Sequence, residues 1–175
     1  MLGTEEYTKN MNSVIATIRR MYAWAVGATH LLKSPFLLFV RLYWGWQIAQ
    51  NGWGKLHNLG HVTEFFGSLG LPAPAFTAVL VSTVELVGGI LLAVGLASRF
   101  VGLVLSIDML MAYITADREA FFSLFSDPDK FTAAAPYTIL FAALLVLIFG
   151  PGKVSLDTLL LRRYPYKPAK SQEHS

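Results

Sequence analysis

Hydrophobic residues occur in four long runs that are separated by short polar stretches. The runs cover residues 31 or 35 to 51, 74–97, 100–116 and 131–149. A bilayer core about 30 Å thick is crossed by about 20 apolar residues in a helix, at about 1.5 Å per residue. We therefore predict an all-α, integral membrane four-helix bundle with mostly antiparallel neighbours and short helices in its outer connections. Pro136 is expected to start the fourth helix late or to kink it.

A different pattern precedes the first run. Five apolar residues recur there at helical spacing, away from the paired arginines Arg19 and Arg20: Val14, Ile18, Met21, Tyr22 and Ala25. This spacing predicts that residues 1–33 form an amphipathic helix lying in the membrane interface. Residues 34–160 are then the membrane domain, and the basic residues 161–175 a disordered tail.

Composition supports a membrane protein, since 54% of the residues are hydrophobic and only 14% are charged. The net charge of +3 resides mainly in the terminal flanks, so anionic lipid headgroups are the expected partner and nucleic acid is not. The absence of Cys excludes disulfides, thiolate nucleophiles and Cys-ligated metal centres.

Lys and Arg lie before the first run, between the second and third, and after the fourth. This distribution predicts a multi-pass protein of the cell inner membrane with both termini cytoplasmic.

Three charged residues lie inside the apolar runs: Arg41, Glu85 and Asp108. Each costs about 2.5–3.5 kcal/mol on insertion scales unless it finds a partner or water. Counted from the cytoplasmic ends they lie about 9–18 Å deep, so they are expected to meet inside the bundle. One interpretation is a structural pair between Arg41 and Glu85. A second is a site for a polar-headed, lipid-soluble ligand or a proton relay, and a third is that water simply reaches Asp108.

Two stripes at helical spacing accompany these charges. Small residues surround Glu85 on one face of the second run, which predicts that this acid faces other helices and not lipid: Ala78, Ser82, Gly89 and Ala93. The second stripe lies on the first run and is expected to line a wet cleft: Trp44, Gln47, Asn51 and Lys55.

His57 and His61 are four residues apart, which on one helix would place both imidazoles on one face. The sequence around them supplies no clear third ligand, so no metal site is predicted.

Several short motifs, taken in order, resemble the DoxX family of small four-span membrane proteins. The resemblance covers residues 36–157 and rests on Arg41, on residues 51–56 (NGWGKL), 65–72, 85–89 (ELVGG) and 95–99 (GLASR), and on residues 150–157 (GPGKVSLD). It implies an integral membrane subunit associated with oxidoreductase chemistry. The family's polar positions correspond here to Arg41, Lys55 and Glu85.

The leading hypothesis is a membrane subunit of a quinone-linked oxidoreductase complex. Arg41 and Glu85, with Lys55 and Asp108, would orient a quinone headgroup and handle its protons, while a partner subunit supplies the electrons. No cofactor bound covalently or by a motif is expected. The alternative is a non-catalytic anchor or assembly subunit of a larger complex, and a third hypothesis is a small transporter or lipid-handling protein.

Overall fold

The computed structural model describes residues 2–163, with side chains at 11, 15–29, 31–160 and 163. This part of the chain is helical and contains no strand. Its helices are α1 (Leu2–His57), α2 (Leu59–Ser68), α3 (Pro74–Val94), α4 (Ser98–Thr115), α5 (Arg118–Phe122), α6 (Pro128–Ala133), α7 (Ala135–Phe149) and α8 (Leu156–Arg163). The predicted all-α fold is thus confirmed. The predicted disordered tail lies almost wholly outside the described residues.

Helix α1 is much longer than predicted. It continues for 56 residues, which corresponds to about 84 Å, and Pro35 lies inside it. The expected division between an amphipathic segment and the first span, at residues 33 and 34, is therefore not a break in the helix. The placement of residues 1–33 in the membrane interface stays a prediction.

Three of the described helices are long and apolar enough to cross a membrane: residues Ile15–His57 of α1, α3 and α4. Helix α7 is equally apolar but has only 15 residues, because Pro136 occupies its first turn and the chain before it turns away. The prediction that the fourth helix starts at residue 131 is thus wrong, whereas the late start at Pro136 is confirmed.

Helices α1 and α3 pack closely because glycines lie at their contact. A methyl group added at Gly89 would lie 2.5 Å from the backbone nitrogen of Ala49, and one added at Gly45 would lie 2.8 Å from the nitrogen of Ala93. Along α1 the facing residue on α3 moves backwards: Gly45 lies against Ala93, whereas Gly52 lies against Leu86. The two helices are therefore antiparallel, and residues that face each other have numbers that add up to about 136. This register determines which polar residues of α1 and α3 can meet.

Helices α4 and α7 form a second antiparallel pair, in which Gly102 lies against the carbonyl of Ala143. The Tyr113 hydroxyl, at the other end of α4, donates to the carbonyl of Phe131 at 2.5 Å. Both pairs share one apolar core, formed by residues of α1, α3, α4 and α7: Val40, Ile48, Leu92, Val101, Leu105, Met109, Ile139, Ala142, Ala143 and Val146.

The segment after α7 closes one end of the bundle. The carboxylate of Asp157 accepts hydrogen bonds from the backbone N–H groups of Ala97 and Ser98, at 2.7 and 2.9 Å. Its own N–H donates to the carbonyl of Gly95. Because the first N–H groups of a helix have no partner within it, Asp157 acts as the cap of α4 from a distant part of the chain.

Candidate functional site

A partly buried ion pair joins the carboxyl-terminal part of α1 to the middle of α3. The Lys55 ammonium donates to Oε1 of Glu85 at 2.6 Å. Glu85 is only 3% exposed, as the stripe of small residues on α3 predicts. The Lys55 side chain keeps 34% of its surface accessible, so the pair lies at the boundary between the helix contact and an open space.

Asp108 of α4 is the third member of this group and interacts electrostatically with both Glu85 and Lys55. We call Lys55, Glu85 and Asp108 the polar cluster. Oε2 of Glu85 and Oδ2 of Asp108 are both buried and have no hydrogen-bond partner. Buried carboxyl oxygens normally have a partner, because leaving one without a hydrogen bond costs about 1–3 kcal/mol or more. The polar cluster therefore contains two buried oxygens that the protein itself leaves without a hydrogen bond.

The polar cluster lies in the wall of a cavity of about 760 Å³. The rest of this wall is mostly apolar and comes from α2, α3, α4 and the start of α7, including Val62, Phe66, Val84, Val104, Ala112 and Ile139. Pockets that bind small molecules have volumes of about 300–1,000 Å³ and combine apolar walls with a few convergent polar groups. The cavity has the size and the chemistry of a ligand site for an amphipathic molecule.

The other residues of the predicted cleft have different positions. Asn51 lines the cavity beside the polar cluster, whereas Gln47 is half-buried and lines neither of the two cavities described here. His61, on α2, also lines the cavity. The prediction that His57 and His61 share one helical face is wrong, because α1 ends at His57 and α2 begins at Leu59. The His57 ring bonds to the Trp53 carbonyl instead.

Arg41 lies away from the polar cluster, and the predicted pairing with Glu85 is wrong. The antiparallel register places Arg41 beside Gly95, at the carboxyl end of α3, about 21 Å along α1 from Lys55. Its guanidinium donates to the carbonyl of Pro151 and, at 3.3 Å, to that of Ala93. The second cavity, of about 430 Å³, lies beside it.

Arg41 is 1% exposed and contacts three parts of the chain: the end of α3, the turn at Gly95 and the turn that follows α7. A cation is stabilised at the carboxyl end of a helix, where the unpaired carbonyls carry partial negative charge. The structure therefore gives Arg41 a role in holding one end of the bundle together. The polar cluster of the large cavity is formed by Lys55, Glu85 and Asp108, without Arg41.

The sequence contained a signal for the correct pairing. Gly45 on the first run, Gly52 directly after it and Gly89 on the second run mark the surfaces where two helices approach most closely. Matching them in antiparallel order places Glu85 beside Asn51 and within reach of Lys55. The contribution of Asp157 and of the Pro151 carbonyl had no such signal, because both come from an irregular turn.

Comparison with known proteins supports the family resemblance. The DoxX family model matches residues 36–118. Residues 36–118 of this chain are thus similar to the DoxX family. The match begins where the sequence motifs begin and includes all three members of the polar cluster, but it ends before the motif at residues 150–157.

A relative of this chain occurs in Bacillus subtilis (strain 168), under the name "Putative oxidoreductase CatD". It is 29% identical over 125 residues, which is 71% of this chain and 87% of the relative. No solved structure matches the chain significantly.

Proposed function

We propose that this protein is a membrane subunit of an oxidoreductase system, and that its large cavity binds the head of a quinone. The observation that carries the proposal is the position of the polar cluster. Lys55, Glu85 and Asp108 line a mostly apolar cavity within a membrane protein. A quinone has the matching form, since its polar ring bears an apolar chain.

The residues of the cavity fit a quinone head in two ways. The Lys55 ammonium has three N–H donors, of which Glu85 uses one, so a ligand oxygen can accept another. The carboxyl groups of Glu85 and Asp108 line the same cavity and can hold protons for the ligand. A bound quinone supplies electron transfer coupled to the uptake or release of protons.

The oxidoreductase part of the proposal is supported by the name of the Bacillus subtilis relative. With no Cys in the chain, electrons that enter or leave the cavity would pass to a second redox protein. We therefore expect a partner subunit or enzyme in the same membrane, with the cell inner membrane as the location.

The test uses the full chain in lipid nanodiscs, incubated with a decyl-benzoquinone probe and washed. The quinone that remains is quantified by mass spectrometry, relative to empty nanodiscs. Ala112→Phe fills the cavity from α4, because Ala112 is half-buried in its wall. Leu110→Phe is the matched control on the same helix, since Leu110 is exposed and does not line the cavity.

Wild type and Leu110→Phe are expected to retain the probe at about one molecule per chain, and Ala112→Phe to lose it. Retention no higher than in empty nanodiscs would refute quinone binding and would favour the anchor or assembly subunit. Equal retention by all three proteins would show that the probe binds elsewhere, which would refute the assignment to this cavity.

A further inference from the structure

Four basic residues surround the turn that follows α7, residues 149–153. Each of them adjoins or belongs to this turn: Lys33 beside Phe149, Arg41 beside Pro151, Arg99 beside Gly150, and Lys153 within it. We call these four residues the basic end of the bundle. They come from α1, α4 and the turn itself, so their charges are brought together only by the packing of the helices.

Little negative charge offsets the basic end. In the described segments that form it, residues 30–45, 90–107 and 149–163, Asp157 is the only acid. Both of its carboxylate oxygens already accept hydrogen bonds from backbone N–H groups at the start of α4. Within the described part of the chain, neither Lys33 nor Lys153 forms an ion pair. This end therefore carries positive charge that the protein itself does not balance.

The basic end lies where the apolar helices end. Helices α3 and α7 end at Val94 and Phe149, and α4 begins at Ser98. The headgroups of a bilayer lie at the ends of the spans, so the basic side chains are at the level of the headgroups. Helix α8 is held at the same end by Asp157, and its Leu156 and Leu159 are exposed. A helix with exposed apolar residues and basic neighbours is typical of the membrane interface.

The cavity of about 430 Å³ at this end combines both chemistries. Lys153 lines it and is exposed, so its ammonium can donate to an anion. Arg41 also lines it but is 1% exposed, so it acts on an anion through its charge and not through contact. The apolar part of the wall includes Val94 and Leu159, which are exposed. An anionic group that is attached to an apolar chain matches this wall.

We infer that this cavity and the basic end bind an anionic phospholipid, whose phosphate accepts from Lys153 and whose acyl chain lies along Val94 and Leu159. Basic pockets between membrane helices are a known form of anionic-lipid site. The inference is independent of the proposed function, because Arg41 lies about 21 Å along α1 from Lys55 and the large cavity.

The test titrates the detergent-solubilised full chain with three probes and counts bound molecules by native mass spectrometry. Dioctanoyl phosphatidylglycerol carries a net negative charge, and dioctanoyl phosphatidylcholine has the same chains without it. Glycerol phosphate carries the charge without the chains. Because a basic residue near anionic lipid contributes about fivefold in affinity, wild type is expected to bind phosphatidylglycerol about tenfold or more tightly than phosphatidylcholine. Glycerol phosphate should bind weakly.

Two matched pairs of variants locate the site. Lys153→Gln should lower the affinity for phosphatidylglycerol about fivefold and leave phosphatidylcholine unchanged. Lys130→Gln is its control, because it removes the same charge from a lysine at the other end of the bundle. Val94→Trp fills the cavity from α3 and should also weaken binding. Val87→Trp is its control, since Val87 is similarly exposed, at 47% against 42%, and lines neither cavity.

Tighter binding of phosphatidylglycerol that weakens in Lys153→Gln and Val94→Trp, but in neither control, supports the inference. Equal binding of the two lipids overturns it and would favour an acidic protein partner for the basic end. An equal loss in Lys130→Gln would show that only net charge acts, and no loss in any variant would place the lipid elsewhere. Glycerol phosphate that binds as tightly as the lipid would overturn the lipid as occupant. If Lys153→Gln does not fold, Lys33→Gln replaces it.

Discussion

Replacement of Gly89 by Ala is the most direct test of the packing that positions the polar cluster. The added methyl group would lie 2.5 Å from the backbone nitrogen of Ala49 and 2.7 Å from the carbonyl oxygen of Gly45. Both are backbone atoms, so no side chain can rotate to make room. An ordinary contact of 3.4 Å or more requires α1 and α3 to separate by about 1 Å, because the backbone of a helix cannot yield locally.

Two opposing effects determine the size of the change. Overpacking a well-packed contact typically costs about 1–3 kcal/mol. Ala is preferred over Gly inside a helix by about 1 kcal/mol, which offsets part of this cost. Gly54→Ala is the matched control, because Gly54 also lies in a helix and a methyl group there meets nothing within 4 Å. Helix preference is common to both variants, so we expect Gly89→Ala to be less stable than Gly54→Ala by about 1–3 kcal/mol.

The assay is unfolding of the detergent-solubilised protein by sodium dodecyl sulfate, followed by Trp fluorescence, with the free energy of unfolding compared between the two variants. Separation of α1 and α3 should also weaken the ion pair of Lys55 with Glu85, so binding of the quinone probe should fall in Gly89→Ala alone. Equal stability of the two variants would refute the close antiparallel packing of α1 on α3.

Three further predictions concern the ends of the bundle. Gly95→Ala should destabilise the protein more than Gly70→Ala, as measured by the same unfolding assay. Both glycines have positive φ angles, of 74° and 71°, but only a methyl group at Gly95 would meet a guanidinium, at 2.7 Å. Asp157→Ala should cost about 1 kcal/mol and speed hydrogen exchange at the first turn of α4, since two N–H groups lose their acceptor. Lys130→Met should raise the pKa of Glu119, followed by NMR of its carboxyl carbon, because the hydrogen bond from Lys130 holds that pKa below its ordinary value. The stability contributed by this pair is present above the ordinary pKa and is lost as pH falls through the lowered one.

The helical fold of the membrane domain could be predicted because hydrophobic runs alone determine it. Helices α3 and α4 lie within two or three residues of the predicted runs, since a Pro and two sharp turns mark their ends. The continuity of α1 could not be predicted in the same way. The expected boundary near residue 33 came from a change in hydrophobic pattern, and such a change does not break a helix.

The pairing of the buried charges was harder to predict than the fold. The depths of Arg41 and Glu85 in the membrane were counted from the predicted cytoplasmic end of each span. They are similar only if both spans begin at the predicted residues. The partners of a long side chain also depend on which helices touch and in which register. Arg41 takes backbone carbonyls as acceptors, and such acceptors have no signature in the sequence.

The separation of Arg41 from Lys55 bears on the choice between a structural and a ligand-binding polar cluster. A buried charge with a purely structural role is expected to have its hydrogen-bonding positions satisfied by the protein. Without such partners the cost of removing the charge from water is not offset, and apolar residues in its place are often neutral or stabilising. Arg41 meets that condition only in part, since it bonds to two carbonyls at a helix end while its Nε is buried without a partner. Glu85 and Asp108 likewise each keep a buried oxygen without a partner. The two ends of the bundle therefore differ in the cavity beside the charges: Lys55, Glu85 and Asp108 line the larger one, of about 760 Å³, whose walls are mostly apolar. A cavity of this size and lining favours the ligand-binding interpretation for this end of the bundle.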